Sequence, residues 1–243
     1  VAFESFATNL VAGDLNGLFD VFVHDRDADG DGIYDEAGAI STVRVSVRSD
    51  GTEADQASAA PSISGDGRYV AFESDATNLV ANDTNGSTDV FVHDRQTGTT
   101  TRVSLDSAGA EGNGISNFPS ISADGRYVAF ESDASNLVAN DTNGSTDVFV
   151  HDRQTGVTTR ASVDLAGVEG NGNSNSPSMS ADGKSVIFQS DADNLVAGDT
   201  NTAPDIFFDD LPAAAGEGGG DGNGGGGCFI ATAAYGSVVT GEK

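Results

Sequence analysis

Four carboxylates fall within nine residues in the run Asp27-Ala28-Asp29-Gly30-Asp31-Gly32-Ile33-Tyr34-Asp35. Charges of one sign packed this closely repel each other unless a cation joins them. Three of them occupy alternate positions, so a coiled loop turns them toward one point, and Gly32 permits the bend. Hard oxygen donors converging in this way suit Ca²⁺. The plain alternative is a solvated acidic loop that holds no ion.

A second pattern, D-x-N-x-x-x-D, occurs four times: Asp14/Asn16/Asp20, Asp83/Asn85/Asp89, Asp141/Asn143/Asp147 and Asp199/Asn201/Asp205. One reading is a weak Ca²⁺ site in each unit. The other is an Asx-type turn with an Asn-Gly corner, and the turn chemistry favours this second reading. His24, His93 and His151 share one position of the repeat, which Asp209 takes in the last copy. A ring of imidazoles could bind a transition metal, but packing between strands accounts for them more simply. No G-x-S-x-G elbow occurs, and the acidic pairs recur in every unit rather than marking one. No residue stands out as catalytic, and a non-enzyme is expected.

The elements that carry these residues follow a fixed period. Segments beginning P-S-x-S start at Pro61, Pro119 and Pro177, at intervals of 58 residues. The blocks VAFES or VIFQS begin at Val1, Val70, Val128 and Val186. The first interval is longer by 11 residues, and the surplus is the acidic loop itself. Each complete copy predicts four strands. Strand A covers 61–64, 119–122 and 177–180, and strand B covers 68–74 and 126–132. Strand C covers 89–94 and 147–152, and strand D covers 99–105 and 157–163. Val, Phe, Tyr and Thr dominate them, as strands require. Strand B is apolar on both faces, which demands a sheet covered on both sides. No segment carries a helical period.

PSISADGRYVAFES followed by TDVFVHDRQTGTTTRVS resembles the TolB-type, WD-like β-propeller repeat over residues 1–211. That resemblance implies an all-β fold of four-stranded antiparallel blades. Strands A and D are each short of one copy, so an open arc or a fragment of about four blades is expected. A β-solenoid is the alternative. Such propellers serve many roles, so the resemblance names no reaction. The acidic loop resembles thrombospondin type 3 and dockerin calcium loops. In that register Asp27, Asp29 and Asp31 take ligand positions 1, 3 and 5, followed by the Ile33 carbonyl and Asp35. An EF-hand register starting at Asp25 fits less well, because its flanks are strands.

Residues 212–227 are a Gly-rich linker, too poor in apolar groups to order themselves. CFIATAAYGSVV, starting at Cys228, resembles the opening of the CFI-box C-terminal domain found in many bacterial surface or secreted proteins. It is expected to be incomplete over 228–243 and to add no strand to the last blade. Cys228 reads equally as a processing point or as a free thiol.

The net charge is −27, from 38 acidic and 11 basic residues. Such a field repels nucleic acid and anionic membranes and attracts cations. No apolar run reaches the length of a membrane span. The chain starts at Val1 inside a VAFES block, so an upstream part of a longer parent is expected. The combined expectation is a secreted, cell-surface or periplasmic bacterial scaffold, stabilised by Ca²⁺ and presenting loops to a protein or glycan. The alternative is the propeller domain of a larger hydrolase of the prolyl-oligopeptidase kind, or of a polysaccharide lyase.

Overall fold

The computed structural model describes residues 1–201, 203–211 and the backbone of 229–230. Every regular element among them is a strand. The first sheet contains β1 (Ala2–Ser5), β2 (Asp20–Asp25) and β3 (Ser41–Arg44), in that order. The second contains β4 (Ser58–Ile63), β5 (Tyr69–Ser74), β6 (Asp89–Asp94) and β7 (Thr99–Arg102). The third contains β8 (Ser116–Ile121), β9 (Tyr127–Ser132), β10 (Asp147–Asp152) and β11 (Val157–Arg160). The fourth contains β12 (Ser174–Met179), β13 (Ser185–Ser190), β14 (Asp205–Asp210) and β15 (Phe229–Ile230). All pairings are antiparallel between sequence neighbours. These are the expected blades, and the first lacks strand A among the described residues.

Three corrections to the expected strand limits have local causes. Strand A begins three residues before its proline, at Ser58, Ser116 and Ser174. The proline lies inside the strand because a bulge accommodates its missing N–H. The register shifts there, and Ala60, Phe118 and Ser176 take φ of 47°, 48° and 53°. Strand D stops at Arg102 and Arg160. Beyond it only single bridges remain, Leu105 to Glu111 and Val163 to Glu169. The tail does add a strand to the last blade: Phe229 and Ile230 pair with Phe208 and Phe207 of β14. The linker reading of 212–227, the rest of the CFI-box-like tail and Cys228 lie outside the described residues.

The core consists of three layers between consecutive blades rather than one central mass. Val70 and Phe72 of β5 pack against Val21 and Val23 of the first blade. Ala71, on the opposite face of β5, packs with Val128 and Phe130 of the third blade. Val186, Phe188 and Phe207 repeat the arrangement against Ala129 and Val148. Strand B is therefore apolar on both sides because both sides are covered. Within each blade the paired phenylalanines of strands B and C stack, with Phe72 and Phe91 at 6.0 Å and Phe188 and Phe207 at 5.8 Å.

Polar contacts fix the step from blade to blade. The amide freed at each strand-A bulge is taken by a glutamate of the blade before it. Ala60, Phe118 and Ser176 donate to Glu4, Glu73 and Glu131 at 2.8, 2.8 and 2.7 Å. The A–B turns join directly, with Gly65 N–H donating to Ala123 O and Ala123 N–H donating to Ala181 O, both at 2.9 Å. Gly125 has to be glycine. It holds φ +73°, and a Cβ there would lie 2.1 Å from a ring carbon of Tyr69 in the preceding blade.

Candidate functional site

The recurrent D-x-N-x-x-x-D loop joins strands B and C in every blade. In the second blade Asn85 Oδ1 accepts the Ser87 N–H at 2.9 Å, and Gly86 holds φ +65°. The Asn85 amide donates to Asp89 at 3.0 Å and to Gly112 O at 2.9 Å. Asn143 makes the same bonds to Ser145, Asp147 and Gly170. This is the geometry of an Asx turn anchoring strand C.

The carboxylates of the loop close on a cation supplied by the chain. Arg102 Nη1 lies 3.4 Å from Asp83, 2.8 Å from Asp89 and 2.9 Å from Glu111. Arg160 repeats this with Asp141, Asp147 and Glu169 at 3.4, 3.1 and 2.9 Å. Arg44 gathers Asp14, Asp20 and Glu53. The other oxygen of the strand-C aspartate accepts a serine hydroxyl, Ser104 to Asp89 at 2.5 Å and Ser162 to Asp147 at 2.6 Å. The single bridges after strand D bring the glutamates under the guanidinium.

Each cluster sets three carboxylates against one guanidinium, with the aspartates almost wholly buried. Burial pushes Asp83 up to about 6, against the pull of Arg102. Burial also raises Asp141 and Asp20. Glu169 is held down at about 2, first by the Thr142 hydroxyl. Arg44, Arg102 and Arg160 escaped the sequence reading, although their exact repetition at the end of strand D was a usable signal. In the fourth copy Asn201 still bonds Asp205 at 3.1 Å. There Ile230 pairs with Phe207 in the register where Arg160 pairs with Phe149, so an apolar residue stands at the arginine's position.

The acidic insertion connects β2 and β3 at the rim of the first blade. Oxygen atoms of Asp27, Asp29 and Asp31 lie within 4.8 Å of one another. Asp27 accepts the N–H groups of Asp31 and Gly32, both at 3.0 Å, and Asp31 accepts that of Ile33 at 2.8 Å. The loop is thus coiled around the Asp27 carboxylate. Asp35 does not join this group. Arg26 grips it through two bonds of 2.9 and 2.5 Å, which lower its pKa. Ile33 is exposed and lies next to the coil. The three gathered aspartates are oxygen donors of the kind Ca²⁺ takes.

The strand-C histidines do not form a metal ring. His93 and His151 are buried, and each Nδ1 meets a strand-D hydroxyl, Thr100 or Thr158, at 2.9 Å. Burial lowers both, His151 to about 4. Asp209, in the same position, is pushed up to about 6 by burial.

Antiparallel four-stranded sheets stacked face to face at a constant step define a β-propeller arc. Among solved structures the chain is similar to TolB from Acinetobacter baumannii, at 20% identity and a TM-score of 0.45, over 86% of this chain and 37% of that one. It is also similar to a putative TolB from Agrobacterium tumefaciens, at 14% identity and a TM-score of 0.48, over 80% and 54%. Dipeptidyl peptidase 4 from Porphyromonas gingivalis shows 14% identity and a TM-score of 0.40, over 79% and 27%. The chain spans less than two thirds of each of these structures. No family model matches it, and no curated protein matches it. The fold class rests on the sheets themselves. Among the described residues no helix is long and apolar enough to cross a membrane.

Proposed function

We propose that this chain is a non-enzymatic propeller scaffold, secreted or held at a bacterial cell surface or in the periplasm. In this reading Ca²⁺ orders its rim loop, and its loops dock a protein or glycan partner. The observation that carries the reading is the convergence of Asp27, Asp29 and Asp31 in the coiled insertion. The ion is held by these carboxylates and the Ile33 carbonyl. Asp35 enters the set only by leaving Arg26; otherwise that ion pair closes the loop from outside.

The blade clusters support the same division of labour. In the first three units Arg44, Arg102 and Arg160 already fill the centre of the acidic cage. Ca²⁺ at Asp83, Asn85 and Asp89, or at Asp141, Asn143 and Asp147, would have to compete with a guanidinium, so the rim loop is the main site. Each of the first three blades keeps its own buried cation, and the acidic insertion of the first carries the exchangeable one.

Titration calorimetry with CaCl₂ tests this. One ion is expected to bind, with Asp29→Ala and Asp31→Ala weakening it far more than Asp141→Ala. At ~100 times the dissociation constant, binding to the native state alone adds about 2.7 kcal/mol of stability. Absence of heat at millimolar Ca²⁺, or equal losses from Asp31→Ala and Asp141→Ala, would refute the site.

A further inference from the structure

One strand end in the interior of the arc carries apolar side chains that the fold does not use. Ile115 and Phe118, at the start of β8, are 44% and 52% exposed. The third blade packs against a blade on each side, so this is not the exposure of an arc end. The same positions hold Ala57 and Ala60 in the second blade, and Asn173 and Ser176 in the fourth. Phe118 also sits at the bulge, with φ 48°. A bulky residue in that conformation carries a cost, and a half-exposed ring gains little burial to offset it. Small residues meet the needs of the bulge in both neighbouring blades, so the fold does not account for the phenylalanine.

Acidic residues flank this pair. Glu73 accepts the Phe118 N–H at 2.8 Å, Glu131 lies opposite Asn117 across β8 and β9, and Asp133 donates its N–H to Ile115 O at 2.9 Å. Their carboxylates are bonded to neutral donors. Glu131 accepts the Ser176 N–H at 2.7 Å, and Asp133 accepts the Thr146 hydroxyl at 2.6 Å. Burial raises Glu73 and Glu131, and neighbouring carboxylates push both up further, Glu4 and Asp75 for the first, Asp133 and Glu73 for the second. A cation brought here relieves that repulsion. We propose that this strand end docks a basic protein segment, with an apolar side chain on Ile115 and Phe118 and a lysine or arginine against Glu73 and Glu131. The charges are complementary, since a chain with a net charge of −27 draws basic partners. A cation can also lie over the Phe118 ring. The Phe118 and Ile121 N–H groups are already taken, by Glu73 at 2.8 Å and Ser62 at 3.1 Å. The partner therefore binds through side chains rather than by adding a strand. The proposal rests on the docking part of the scaffold reading and not on its ion.

Fluorescence anisotropy on the whole chain in EDTA tests this, so that failure of the calcium site cannot pass for failure here. The probe is a labelled peptide of alternating lysine and leucine, with glutamate–leucine and lysine–serine peptides as controls. Saturable binding of the lysine–leucine peptide is expected below about 1 mM, with both controls at least about tenfold weaker. Phe118→Ala should weaken it by about tenfold or more, and Glu73→Gln, which keeps an acceptor for the Phe118 N–H, by about fivefold. Alanine stands at the Phe118 position in the second blade, so Phe118→Ala should keep the far-UV circular dichroism of the wild type. Asp50→Asn removes an exposed carboxylate from the loop that meets strand D of the second blade, and should leave binding unchanged. No binding at about 1 mM, or affinity that survives Phe118→Ala, would overturn the proposal. Equal losses from Glu73→Gln and Asp50→Asn would do so too, by reducing the effect to general attraction to an acidic surface. Binding of maltohexaose that Phe118→Ala abolishes, without binding of the peptide, would give the surface to a glycan instead.

Discussion

Removing the buried guanidinium from one blade isolates what the cage carboxylates cost without it. Arg102→Met keeps most of the side-chain volume and deletes the charge. Arg102 is 7% exposed, and its partners Asp83 and Asp89 are 3% and 0% exposed. Little solvent is present to take over when it goes. Breaking a buried pair by removing one partner costs about 3–5 kcal/mol, and that loss is expected here at pH 8. Arg48→Met is the control: its contact to Asp50 is 3.7 Å long and half exposed, so the expected change is under about 1 kcal/mol. Urea unfolding of both variants, followed by circular dichroism, gives the comparison. The deficit of Arg102→Met should narrow between pH 8 and pH 5, because protonated carboxylates need no counterion. A loss below about 1 kcal/mol, or a deficit that ignores pH, would refute the view that this arginine neutralises the cage.

Gly125→Ala should cost about 2–4 kcal/mol, since its Cβ meets Tyr69 at 2.1 Å and its φ is +73°. Gly144→Ala, with φ +65° and nothing within 4 Å, should cost only about 1–2 kcal/mol; thermal melts compare the two. Glu131→Ala strips the cap from the Ser176 amide, and a loss of about 1–3 kcal/mol is expected. Faster hydrogen exchange at Ser176 would report it locally. In the wild type, Asp83 is raised in the fold to about 6 from 3.8. The native state therefore takes up its proton first, and this group adds stability as pH falls from about 7 toward 4, by about 1–3 kcal/mol. Asp83→Asn should flatten that part of the stability–pH curve.

Strands B and C could be read from the sequence because their apolar residues are packed on both faces and nothing competes with the pattern. Strand A was misjudged because proline was taken as its start, whereas the bulge and a glutamate of the neighbouring blade let the strand run through it. That rescue depends on a contact from another unit, which no local pattern contains. The gathering of Asp27, Asp29 and Asp31 followed from their spacing. The diversion of Asp35 did not, because it requires knowing that Arg26 lies beside it after the loop closes. The Asx turns were legible from Asn-Gly. The arginine at their centre was not, because it arrives from a strand 13 residues farther on, in Arg102 to Asp89 and again in Arg160 to Asp147.

The glutamate-to-bulge bonds link each unit to its immediate neighbour through the same positions of the repeat, and the turn ladder does so among the last three. An in-frame duplication of one repeat would therefore give the gene an added blade whose contacts already exist on both sides. Nothing in those contacts needs to be invented by later mutation. The rim between strands C and D lies outside them, and the acidic insertion of the first unit is found there. The interior can lengthen by copying, while novelty enters at the rim, where a new loop does not disturb the step between blades.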